Sequence, residues 1–75
     1  MQERFREKYR VLGLKIAYYR KKRGYTQEQL AELIDKSWSF ISQVEANNGK
    51  KIKGIYLDTL FTMSEVLEVP VEKFF

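Results

Sequence analysis

The sequence contains no cysteine and no histidine. The first absence excludes disulfides, and the two together remove the commonest zinc ligands. Nucleophilic and general-base chemistry lose their usual thiol and imidazole, so Ser37, Ser39 and Ser42 have no base to activate them. There is no glycine-rich phosphate loop and no carboxylate pair in an evident cleft. Enzymatic activity, a cofactor, a metal and a small-molecule substrate are therefore not expected. Proline occurs once and glycine four times, which leaves few residues that interrupt a helix. Apolar stretches are only a few residues long, too short for a membrane span or a signal-peptide core. The expectation is a cytoplasmic protein with no membrane partner.

The 75 residues read as one domain, 1–75, with nothing following it that would serve as a sensor. A chain this short buries roughly 60% of the surface its unfolded form exposes. With disulfides and metal excluded, regular helix packing and a partner chain are the remaining sources of stability. The net charge of +4 is unevenly placed. Residues 1–25 hold nine cations and two acids, residues 26–49 one cation and four acids, and residues 50–75 four of each. A basic excess of this kind suits a polyanionic partner, although many ordinary proteins share it.

The periodicity is helical throughout, and only the stretch from Lys51 to Ile55 leaves room for a strand. A first helix is expected from about Phe5 to Arg23, with Phe5, Tyr9, Leu12, Ile16 and Tyr19 in one inward stripe. Lys21, Lys22 and Arg23 suit the negative end of its dipole, and Gly24 ends it. Thr26 and Gln29 have the spacing of a capping box, and Tyr25 with Leu30 that of a hydrophobic staple. They open a second helix that turns Leu30, Ala31 and Ile34 inward and stops near Asp35 and Lys36. Ser37 caps a third helix with Ile41 and Val44 inward and Trp38, Ser39, Ser42 and Gln43 outward. After a loop from Asn47 to Gly54, a fourth helix runs from about Tyr56 to Leu67 with Leu57, Leu60, Met63 and Leu67 inward. Pro70 leads a last turn from Val71 to Phe75. Phe74, Phe75, Tyr56 and Phe61 exceed what one small core easily buries, so some of them are expected at a dimer interface.

Two short helices joined by a tight turn, the second capped and polar on its outer face, form the supersecondary unit that reads DNA. The small Ala31 lets the pair approach closely, while Ile41 and Val44 hold the back of the reading helix. The stretch from Gly24 to Glu45 resembles the Xre/Cro type of helix-turn-helix, the lambda-repressor-like family. Thr26-Gln27, Leu30-Ala31 and Ile41-Ser42-Gln43-Val44-Glu45 carry the resemblance, which extends over roughly residues 12–75 through Ile16 to Arg20, Leu57 to Phe61 and Leu67 to Phe75.

The resemblance implies an all-α, five-helix domain, here four helices plus a short C-terminal turn, with the helix-turn-helix unit at about residues 26–46. It implies a sequence-specific regulator of transcription, read here as a repressor, that binds double-stranded DNA as a homodimer on a palindromic operator in a bacterial nucleoid. It further implies base reading by Ser37, Trp38, Ser39, Ser42 and Gln43, and a buried structural ion pair between Arg20 and Glu45. Phosphate or sugar contacts fall to Thr26, Gln27, Lys36, Phe40 and the loop lysines Lys50, Lys51 and Lys53. The chain departs from the usual pattern in having Asp35 where glycine is common at the turn, and a longer loop after the third helix. That helix also has no Arg or Lys, which removes the frequent bidentate contact to guanine and leans the expected operator toward A·T pairs. The competing reading is a protein-interaction module that keeps this fold without reading DNA, argued from the acid-rich middle segment and the uncharged, aromatic outer face.

Overall fold

The computed structural model describes residues 3–46 and 54–75. A 3-10 turn at Glu3–Phe5 leads into α1 (Arg6–Lys22), followed by α2 (Gln27–Leu33), α3 (Trp38–Glu45) and α4 (Leu57–Leu67). A second 3-10 turn at Val71–Phe74 closes the chain, and there is no strand among the described residues. Gly54 and Ile55 lie in coil, and Lys51 to Lys53 fall outside the described residues.

Local chemistry sets the helix boundaries. The Thr26 hydroxyl accepts from the Gln29 amide at 3.1 Å, and the Gln29 side chain accepts from the Thr26 amide at 2.8 Å. Two orphan donors at the start of α2 are thereby satisfied. The Ser37 hydroxyl does the same for the Phe40 amide at 3.1 Å, opening α3. Three helices end alike. A residue with positive φ follows α1, α2 and α4: Gly24 at 81°, Asp35 at 58° and Glu68 at 55°. In each case the next amide reaches back five residues, from Tyr25 to the Arg20 carbonyl, Lys36 to Ala31 and Val69 to Ser64. This is the Schellman closure, which satisfies carbonyls that the helix leaves open.

The core draws on every helix: Leu12 and Ile16 of α1, Leu30, Ala31 and Ile34 at α2, Ile41 and Val44 of α3, Leu60, Met63 and Leu67 of α4. Tyr9, Tyr19 and Tyr25 pack half-buried against it. Two expectations change. Leu57 is exposed rather than inward, because it is the first residue of α4 and Cα–Cβ bonds lean toward a helix N-terminus, past the end of the core. Phe74 leaves the group of surplus aromatics: the turn after Pro70 carries it onto α1, where it is fully buried and edge-on to Tyr19. Its neighbour Phe75 stays exposed, with its carbonyl accepting from the Lys15 ammonium at 2.7 Å.

One contact fixes where α3 lies. Gly13, buried in the middle of α1, faces the α3 backbone so closely that a Cβ would overlap the Val44 carbonyl oxygen. Two helix backbones touch there with no side chain between them.

Candidate nucleic-acid interface

α3 is held from behind and open in front. Ile41 and Val44 are fully buried, while Trp38 is 54% exposed, Ser37, Ser39 and Gln43 are exposed, and Ser42 is half-buried. The Gln43 amide donates to the Ser39 hydroxyl at 3.4 Å across one turn. The single charged side chain of the helix, Glu45, turns inward, so its outer face is polar and neutral.

Glu45 meets Arg20 of α1 in an ion pair that is 6–8% exposed on either side. Arg20 Nε donates to Glu45 Oε2 at 2.6 Å and Nη2 to Oε1 at 3.0 Å, while Nη1 reaches the Tyr25 carbonyl at 2.7 Å. The guanidinium therefore ties the end of α1, the turn before α2 and the end of α3 together. Bidentate geometry of this kind is the strong form of a charge-assisted hydrogen bond.

The network continues outward. Gln27, the first residue of α2, donates from Nε2 to Glu45 Oε1 at 3.0 Å and accepts from the Trp38 indole nitrogen at 3.1 Å. Polar contacts thus run unbroken from Arg20 in the interior to Trp38 at the surface, through one carboxylate and one amide. Nothing in the spacing of the sequence announces this link between Gln27 and Trp38. The role of Gly13 did leave a signal: an interior glycine costs about 1 kcal/mol in a helix, so its presence asks for a packing reason.

The other residues considered for DNA contact lie around this face. Thr26 is exposed, its oxygen engaged in the cap of α2. Lys36 is exposed, with its ammonium 5.7 Å from the ring of Phe40, which is half-buried against the core. Lys50, Lys51 and Lys53 lie outside the described residues. At the end of α1, Arg23 is paired with Glu68, and Lys22 sits over the Tyr18 ring at 5.8 Å. Among the described residues no cluster of acidic side chains could hold a metal ion, and no helix is long and apolar enough to cross a membrane.

Elsewhere, a groove of about 370 Å³ runs between the start of α1, the start of α4 and the C-terminus, lined by Phe5, Tyr9, Leu12, Leu57, Leu60 and Phe75 among others. Phe61 follows Leu57 one turn along α4 and is also exposed, as is Tyr56.

A capped helix pair with its second helix anchored behind and uncovered in front defines the class of helix-turn-helix proteins. The family's sequence profile, described as helix-turn-helix, matches residues 16–74, and the chain belongs to this family, in its Xre and lambda-repressor-like form. It is a DNA-binding protein of transcription regulation. Among solved structures it is similar in fold to the crystal structure of the restriction-modification controller protein C.AhdI from Aeromonas hydrophila. The identity is 20%, the match covers 92% of this chain and 98% of that one, and the TM-score is 0.80. No curated protein matches the sequence.

Proposed function

We propose that the chain is a sequence-specific repressor without enzymatic activity, binding a two-fold operator as a homodimer with α3 in the major groove. One observation carries this reading: the back of α3 is fully buried and its front is uncovered, neutral and rich in hydrogen-bonding groups. Ser37, Trp38, Ser39, Ser42 and Gln43 are the base-reading set. A glutamine at position 43 suits the N6 and N7 edge of adenine, and the serines suit either base. Thr26, Gln27, Lys36 and the loop lysines Lys50, Lys51 and Lys53 serve phosphates, with Phe40 against sugar. Phosphate contacts of this sort position the protein without reading sequence.

The second copy is assigned to the apolar groove and the exposed side chains beside it, Leu57, Phe61 and Phe75. To read two half-sites, such a dimer has to hold its two reading helices about one DNA turn, ~34 Å, apart. Repression follows from occupancy of that face of the duplex.

Selection from random duplexes at low salt is the direct test, and the expected outcome is an enriched palindrome. Gln43→Ala should then lose preference at one base pair of each half-site, and Lys36→Ala should weaken all duplexes alike. Trp38 fluorescence and duplex selection that both ignore DNA would instead favour the interaction module.

A further inference from the structure

We infer that Trp38 reads the C5-methyl group of a pyrimidine in the major groove, and that Gln27 is the positioning residue that makes it do so. The inference rests on the groove reading of α3 proposed above and names what one of its residues recognises. An indole has a single hydrogen-bonding group, its N–H, and no acceptor. In this protein that N–H is engaged at the surface by the chain's own Gln27 Oε1 at 3.1 Å. The residue is more than half exposed, and with its N–H engaged the rest of the indole ring is carbon. Trp38 also stands in the first turn of α3, beside Ser37 and Ser39, where a reading helix meets base edges.

The major-groove edge of a base pair carries donors, acceptors and one apolar feature, the methyl at C5 of thymine. A donor or acceptor left against the indole face would be stripped of water and unpaired, which is costly. A methyl would be desolvated with gain. The ring therefore selects for the methyl and against the polar alternatives.

Gln27 holds the ring in this state. Its Oε1 takes the indole hydrogen, and its own position is set by the bond from Nε2 to Glu45, which the buried Arg20 fixes in turn. With Gln27 replaced by leucine, the indole N–H is free to seek a base acceptor, and the ring loses its tether.

The experiment uses the duplex enriched by selection, with thymine replaced by uracil one position at a time. Uracil differs from thymine only by the methyl. At one position per half-site, affinity should fall about four-fold for each methyl removed, the equivalent of one buried carbon. Trp38→Ala should bind thymine and uracil duplexes equally, and Trp38→Phe, which keeps ring carbon and has no N–H, should retain part of the difference. Placing cytosine and then 5-methylcytosine at that position separates the sources of the methyl. A gain with 5-methylcytosine over cytosine supports methyl reading on either base, and no gain would count against the methyl as what the ring reads.

The indole Nε1–H resonance gives the second readout. It should exchange more slowly in the wild-type chain, where Gln27 accepts it, than in Gln27→Leu, with helicity unchanged and the uracil penalty reduced. Sequence-specific binding that is indifferent to uracil at every position would overturn the inference while leaving the DNA reading intact. So would a uracil penalty undiminished in Trp38→Ala. Failure to enrich any duplex would remove the groove reading and this inference with it.

Discussion

A guanidinium and a carboxylate withdrawn from water depend on each other, since neither has solvent to fall back on. Arg20→Met leaves Glu45 buried without its cation and should cost roughly 3–5 kcal/mol in urea unfolding. The double variant Arg20→Met, Glu45→Met should recover much of that loss, because no charge is then stranded. Gly13 makes a different demand. A methyl at that position meets the Val44 carbonyl of α3 rather than a yielding side-chain tip, so Gly13→Ala should destabilise by about 1–3 kcal/mol despite the better helix propensity of alanine. Thermal unfolding of this variant decides whether steric conflict outweighs propensity.

At the scale of single elements, the caps are separable contributions. Thr26→Ala removes the hydroxyl half of the capping box of α2 and should cost about 1 kcal/mol, read as a lower unfolding midpoint. Asp35 adopts a left-handed backbone that disfavours residues with a Cβ. Asp35→Gly should therefore match or exceed the parent stability, and Asp35→Val should fall about 1–2 kcal/mol below it. These same elements show what the sequence reveals and what it hides. The starts of α2 and α3 were readable because Thr26 and Ser37 bond to amides only three residues away. Gly24 and Asp35 announced their turns through backbone preference. Glu68 closes α4 with the same geometry, yet nothing about a glutamate signals a left-handed residue. Leu57 had the right spacing for the α4 stripe, but periodicity does not record where the neighbouring core stops.

Across the molecule, the buried helical stripes were legible because hydrophobic spacing records which face is inward; contacts between distant segments were not. Phe74 on Tyr19 and Gln27 on Trp38 are meetings of side chains that no local pattern encodes. Binding of the whole protein to DNA should be governed by phosphate neutralisation, so affinity measured by fluorescence anisotropy should drop steeply between ~50 and ~200 mM salt. The homodimer proposed above has its own test: if exposed Phe61 belongs to the interface, Phe61→Glu should sediment as a monomer where the parent sediments as a dimer, with the helical spectrum intact.

The backbone contact between α1 and α3 has a consequence for the nucleic acid itself. A stamp whose raised face is welded to its block cannot tilt to suit an uneven surface. The give must come from the duplex, and on the two-fold operator proposed above, soft pyrimidine–purine steps between the half-sites should outcompete stiff ones that present identical bases to the protein.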